Sequence, residues 1–268
     1  MQSKLACTEN AGQAARVFIT GASSGIGAAL ARHYAARGAI LGLAARRGDL
    51  LEQLAASLPG PTHFTYPLDV TDAAALAEAA RDFMLRAGVP DIVIANAGVS
   101  AGTLTEAADD LPVFRRIFDI NVMGMVNTFQ PFIDAMKKAG RGRLAGVASV
   151  AGIRGLPGAG AYSASKAAAI SYLESLRVEL RGSGLRVVTL APGYIETPMT
   201  AINPYPMPFL LPVDEAARRL VRAIDRGCSF AVVPWQMGLV ARVLRWLPNW
   251  LFDAAFARAG RKPRGIDL

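Results

Sequence analysis

Arg16-Val17-Phe18-Ile19-Thr20-Gly21-Ala22-Ser23-Ser24-Gly25-Ile26-Gly27 is the stretch that decides the fold. Its first five residues read as a short buried strand. A glycine turn follows, and then an alanine-rich helical run to Ala36. Strand, glycine turn and helix together form the phosphate-binding start of a doubly wound sheet. Gly21 suits a tight turn, Gly25 a close backbone approach by a pyrophosphate, and Gly27 close packing of helix on strand. The helix N-terminus offers free N–H groups and a favourable dipole to that anion. The glycines are spaced four and two apart, so the generic G-x-G-x-x-G fingerprint is not matched.

Outward from this stretch, strands alternate with helices. Strands are expected at Val17–Thr20, Ile40–Ala44, His63–Pro67, Ile92–Ala95, Leu144–Ala148, Val187–Ala191 and Phe230–Val233. Helices are expected at Gly25–Ala36, Asp49–Ser57, Asp72–Ala87, Leu111–Ala139, Ala161–Arg181 and Asp214–Arg226. Alternation of this kind predicts an α/β fold, a Rossmann-type doubly wound parallel sheet of seven strands flanked by helices. The unbroken apolar runs fit strands buried on both faces. At 268 residues and 52% apolar, the chain can bury one large core as a single domain over residues 16–234.

Composition narrows the class. Two cysteines, Cys7 and Cys228, make no disulfide framework and point to a reducing, cytoplasmic compartment. Neither has a ligand partner at metal spacing, so no metal site is expected. Met1–Ala15 lacks the apolar core of a signal peptide and is expected to be a mobile tail. The net charge of +8 has no interleaved aromatic motif to suggest nucleic acid.

A second constellation carries chemistry. Tyr162 and Lys166 stand four apart on an expected helix, hence on one face. An ammonium beside a phenol favours the phenolate, and such a phenol can trade protons with an alcohol or carbonyl.

With these residues in view, the chain resembles the short-chain dehydrogenase/reductases in their core single-domain form, from about Val17 to Val233. Thr20–Gly27 is similar to the family's T-G-x-x-x-G-x-G, which places Gly21, Ser23, Ser24, Gly25, Ile26 and Gly27 at the cofactor. Asp69-Val70 matches the pair beside the adenine, and Asn96-Ala97-Gly98 the triplet that steadies the sheet. Asn121, Ser149, Tyr162 and Lys166 match the catalytic tetrad. Pro192-Gly193, Ile195 and Thr197 lie in the stretch that embraces the nicotinamide.

The resemblance implies a hydride-transferring oxidoreductase. Tyr162 is then the acid/base and Lys166 lowers its pKa and holds the ribose. Ser149 would polarise the substrate oxygen, and Asn121 would position a water linked to Lys166. Structural alternatives stand beside these roles: Asn121 as a helix brace and Ser149 as a turn cap. The second strand ends in Ala45-Arg46-Arg47, where NAD-preferring members carry an acid. Arg46, with Arg47, suits a 2′-phosphate, so NADP(H) is the expected cofactor.

Residues 198–212 carry five prolines and many apolar side chains at the place of the family's substrate-covering loop, which suggests a lipophilic carbonyl or secondary alcohol. Arg154, on the expected opposite wall, reads as solvated, with contact to an anionic substrate group as the alternative. The alternatives are a 3-oxoacyl-thioester reductase and a non-catalytic NADP(H)-binding module.

Residues 235–268 extend beyond the family's shorter members as helices, with Pro248 as a breaker and Asn249 as a cap for a helix to Ala259. From Gln236 onward six bases face two acids, giving four of the chain's net +8. This tail is expected to pack over the cleft or a second subunit, or to make peripheral membrane contact. A homodimer or homotetramer is implied by resemblance.

Overall fold

The computed structural model describes residues 14–60, 62–257 and 259–265. The tail expected over Met1–Ala15 lies outside the described residues except for Ala14 and Ala15. Strands β1 (Arg16–Thr20), β2 (Ile40–Ala45), β3 (Phe64–Pro67), β4 (Ile92–Ala95), β5 (Gly142–Val147), β6 (Leu185–Pro192) and β7 (Phe230–Val233) form one seven-stranded sheet. Its order is β3-β2-β1-β4-β5-β6-β7, with every pairing parallel.

Helices α1 (Gly25–Ala35), α2 (Gly48–Ser57) and α8 (Val213–Arg226) cover one face. Helices α3 (Ala73–Ala87), α5 (Gly124–Ala139) and α6 (Gly160–Glu179) cover the other. The period of two along each strand feeds both cores. Val17 and Ile19 of β1 and Ile92 and Ile94 of β4 enter the first. Phe18, Val93 and Ala95 enter the second. Phe18 meets Tyr66, Phe83 and Phe132 with ring centroids 5.7, 5.5 and 4.9 Å away. Gly42 on β2 makes that room, because a Cβ there would stand 2.5 Å from the Phe18 ring.

These elements match their expected bounds to within one or two residues at either end. The single helix expected over Leu111–Ala139 is not one regular helix. It divides into α4 (Leu111–Phe118), a π-helical turn Asp119–Met123, and α5. A π-turn re-aims the side chains it carries, and Asn121 lies inside it. The short helix α7 (Pro198–Ala201) sits within the proline-rich loop and starts on a Thr197–Thr200 capping box.

After β7 come α9 (Trp235–Trp246) and α10 (Asn249–Phe256), broken as expected at Pro248. Two expectations here are corrected. The second helix stops at Phe256 rather than Ala259, and Asn249 is its first residue, not its cap. The Asn249 Oδ1 instead accepts from Arg154 at 3.0 Å. Arg154 is not solvated either. Its guanidinium donates to the carbonyls of Leu244 and, at 2.6 Å, Leu247, and lies 4.0 Å over the Phe252 ring. A cation on the last carbonyls of α9 satisfies groups that the helix leaves unpaired. No described helix is long and apolar enough to cross a membrane.

Candidate active site

In an open parallel sheet the crevice lies outside the strand ends where the order reverses. Here that place is between β1 and β4. The Asn96 side-chain amide donates to the carbonyls of Thr20 and Gly21, both at 3.1 Å, and ties the two strand ends together. Gly21 and Gly25 have φ of +66° and +53°, a region costly for residues with a Cβ. At Gly27 a Cβ would stand 2.2 Å from the Gly21 carbonyl oxygen, so only glycine lets α1 approach β1. The first turn of α1 has neither an acidic residue nor a side-chain cap, which leaves its N–H groups for an anion.

The crevice holds about 340 Å³. Its lining includes every expected cofactor residue except Gly27, which packs instead against the Gly21 carbonyl: Gly21, Ser23, Ser24, Gly25, Ile26, Arg46, Arg47, Asp69, Val70, Asn96, Ala97, Gly98, Tyr162, Lys166, Pro192, Gly193, Ile195 and Thr197. Such a glycine cradle with a bare helix N-terminus fits a dinucleotide pyrophosphate. Arg47 reaches back to the Ser23 and Ser24 hydroxyls at 3.0 and 2.8 Å. Arg46 makes no side-chain hydrogen bond to any described residue and is exposed at the crevice rim. Asp69 accepts from the Thr71 amide at 2.9 Å and from Arg116 at 2.6 Å. Burial works against its charge, but these bonds outweigh it and hold the carboxyl below its ordinary range.

Three of the four expected catalytic residues, Ser149, Tyr162 and Lys166, line one end of this crevice, and Asn121 stands behind its wall at Gly98. Ser149 follows β5 and lies across from Pro192; its hydroxyl accepts from the Ala151 amide at 3.1 Å, so it does cap a turn. Burial raises the Tyr162 pKa; the Ser149 hydroxyl opposes that rise and Tyr194 adds to it. Lys166 is buried, donates to the Val147 carbonyl at 2.9 Å, and stands 5.9 Å from the Tyr162 ring centroid. Burial alone drops its pKa to about 8. The phenol therefore shifts upward, the direction opposite to that expected beside an ammonium, because burial outweighs the Ser149 hydrogen bond.

Asn121 does brace its surroundings. Its Oδ1 accepts from the Val99 amide at 2.8 Å, and its Nδ2 donates to the Val99 carbonyl and Ser165 hydroxyl, each at 3.0 Å. Both amide hydrogens are thus used, leaving one lone pair of Oδ1. Oδ1 and the Lys166 Nζ converge on Gly98, at 3.1 and 3.3 Å from where a Cβ would sit.

The short chain dehydrogenase family profile matches residues 15–204. An uncharacterized oxidoreductase of Myxococcus xanthus is 43% identical over 90% of this chain and 96% of its own. The 2-dehydro-3-deoxy-L-rhamnonate dehydrogenase (NAD(+)) of a Sphingomonas species is 35% identical over 80% of this chain and 89% of its own. A short chain dehydrogenase from Burkholderia cenocepacia, solved in complex with NADP, superposes with a TM-score of 0.77 at 28% identity. It covers 91% of this chain and 98% of its own.

The chain belongs to the short-chain dehydrogenase family. It is an oxidoreductase family, and the sheet, glycine turn and tetrad-bearing elements of this short-chain dehydrogenase are those described above.

Beside the crevice lies a second cavity of about 330 Å³. The two adjoin along the chain at Ser149–Val150 and Gly193–Tyr194. The proline-rich loop closes over this cavity. Its ends are pinned where Glu196 donates to the Leu211 carbonyl at 2.9 Å and Leu211 to the Tyr194 carbonyl at 3.0 Å. Tyr205 from the loop packs edge-on to Tyr194.

The segment after α10 forms part of the cavity wall. Gly260 packs on Tyr205, and Ala259, Gly260 and Lys262 line the space. Lys262 places its Nζ 5.9 Å from the Tyr162 ring centroid. The segment Ala259–Lys262 thus lies over the cleft. The outer face of the tail helices stays open, with Trp235, Trp246 and Trp250 exposed by 68, 87 and 72%. The sequence offered no signal for Lys262, because a lone lysine a hundred positions from Tyr162 belongs to no spacing pattern.

Proposed function

We propose that this short-chain dehydrogenase is an NADPH-dependent oxidoreductase that moves a hydride between nicotinamide and a lipophilic carbonyl or secondary alcohol. The observation that carries the reading is the meeting of Ser149, Tyr162 and Lys166 where the glycine crevice adjoins an apolar cavity. NADPH, when bound, supplies the hydride that reduces the carbonyl carbon. Tyr162 gives its phenolic proton to the carbonyl oxygen. Burial keeps that proton on the phenol at neutral pH, which suits the donor role. Ser149 hydrogen-bonds the oxygen as negative charge develops. Lys166, with a pKa of about 8, is a proton source matched to restoring the phenol. The remaining Asn121 lone pair and the Lys166 ammonium face one point over Gly98, which suits a shared water.

A neutral 3-oxoacyl thioester is a weaker candidate, and a pure nucleotide-binding module has no use for Ser149 beside Tyr162. NADPH oxidation across a panel of aliphatic ketones, ketosteroids and 3-oxoacyl thioesters tests all three. NADPH binding without any oxidation would leave only the module.

The cofactor preference rests on residues. One relative is named for NAD(+) and one structural neighbour holds NADP, so likeness leaves the choice open. Arg46 and Arg47 at the rim, with Arg47 seated on Ser23 and Ser24, favour the 2′-phosphate. Arg46→Asp is expected to raise the Michaelis constant for NADPH at least tenfold and to change that for NADH far less. Initial rates with both cofactors check this; equal changes would remove Arg46 from phosphate reading.

A cytoplasmic homodimer or homotetramer completes the proposal. Phe118 and Met123 at the α4–α5 junction and Val178 on α6 are exposed apolar groups on the helices expected to pair. Sedimentation velocity is expected to show a dimer or larger, and Met123→Glu with Val178→Glu to shift it toward monomer. A wild-type monomer at micromolar concentration would discard the assembly.

A further inference from the structure

The segment Ala259–Arg264 is fixed where it crosses the cleft. Gly102 donates its amide to the Pro263 carbonyl at 2.8 Å, and a Cβ on Gly102 would stand 2.2 Å from the Lys262 carbonyl oxygen. Arg264 donates twice to Asp110, at 2.8 and 3.2 Å. That carboxylate side chain is only 5% exposed and also accepts from the Leu104 amide at 2.7 Å. Arg264 first, then Leu104, holds it ionised below the ordinary range. A buried carboxylate so paired makes an anchor with a defined direction. Arg261 lies along Gly158 on the other side. The strap therefore presents Lys262 in one place.

That place is chemically unusual. The cavity is lined by apolar groups such as Val150, Leu156, Met237, Leu244 and Phe256, and no Asp or Glu among the described residues lines it. Two cations do. Arg154 is already spent on the carbonyls that end α9 and on Asn249. Lys262 makes no hydrogen bond or salt bridge with any described residue, and burial lowers its pKa to about 8. It remains mostly protonated at neutral pH. An ammonium at a half-dry apolar wall, without a counter-ion among the described residues, is a site for an anion.

We infer that Lys262 is a specificity-determining residue that binds an anionic group, a carboxylate above all, on an otherwise apolar substrate. The inference rests on the proposed oxidoreductase reading for where the reacting carbonyl sits. With that carbonyl oxygen on Tyr162 and Ser149, an ammonium near the same tyrosine ring reaches a carboxylate only a few bonds along the chain. The apolar remainder then fills the cavity under the proline-rich loop. A cavity of about 330 Å³ lies at the lower end of ordinary ligand pockets, which suits a medium-length oxo or hydroxy acid. A neutral thioester would leave Lys262 without a partner, so the same residue discriminates against it.

The test uses two probes of one length, decanoate and decanamide, titrated calorimetrically into the full chain loaded with NADP⁺. Wild type is expected to bind decanoate at least tenfold more tightly than decanamide. Lys262→Met is expected to erase that preference, and Lys262→Arg to keep it. Arg264→Ala, which frees the strap but keeps the Lys262 ammonium, is expected to lose part of it. Should Lys262→Met fail to fold, Lys262→Arg and Arg264→Ala still report. Equal affinity for the two probes in wild type, no decanoate binding up to millimolar, or a preference that survives Lys262→Met would each overturn the inference. Turnover is scored separately with 4-oxodecanoate and its methyl ester. Decanoate binding through Lys262 without reduction of either ketone would sink the oxidoreductase reading and leave the anion site standing.

Discussion

Tyr162→Phe is expected to lower kcat by about three decades or more, near 4 kcal/mol of barrier, while NADPH still binds. The substitution removes the one proton positioned for the carbonyl oxygen. It leaves the ring in its place between Lys166 and Lys262, each 5.9 Å from the centroid. The glycine cradle and the bare α1 N-terminus are untouched, so quenching of protein fluorescence by NADPH should keep its midpoint. The phenol's raised pKa also sets a pH signature. The donor form persists through neutral pH, so wild-type reduction should stay flat there and fall only in the alkaline range. Wild-type turnover in the phenylalanine variant would end the acid/base assignment.

Where the sequence sufficed, short local patterns coincide with physical necessity. The glycines at 21 and 27 are readable because no other residue fits a left-handed turn or a Cβ position 2.2 Å from a carbonyl oxygen. Tyr162 and Lys166 are readable because a helix forces i and i+4 together. The strands are readable because burial on both faces demands unbroken apolar runs.

What stayed hidden depends on contacts across long separations. Arg154 looks like any surface arginine until α9 brings its terminal carbonyls to it. Asp110 looks like a loop acid until Arg264 arrives from 154 positions away. The sign of the Tyr162 shift was hidden for another reason. Spacing tells which groups are neighbours, whereas desolvation depends on everything that excludes water around them.

Lys166→Met is expected to remove nearly all turnover yet to hold or raise the unfolding midpoint. Lys166 is 4% exposed, and burial takes its pKa from 10.5 to about 8. At about 1.4 kcal/mol for each unit, keeping the charge costs the folded state on the order of 3 kcal/mol at neutral pH. Losing the bond to the Val147 carbonyl gives back about 1–3 kcal/mol. Methionine nearly matches the volume, so no large cavity opens. The net is between zero and about 2 kcal/mol in favour of the variant, a rise of up to a few degrees for a chain of this size.

The variant's advantage falls with pH in a defined window. Below about 8 the native lysine bears its full cost. Between about 8 and 10.5 the native state has released a proton that the unfolded chain still binds, so wild-type stability climbs with pH. Lys262 contributes to the same climb in both proteins, since its pKa is also about 8. The stability gap between variant and wild type should therefore shrink from pH 7 to pH 10. Urea melts at both pH values, without added nucleotide, read this directly. A variant several degrees less stable at pH 7, or a gap that widens toward pH 10, would show that the Lys166 charge is not borne at a cost and that its place beside Tyr162 has another origin.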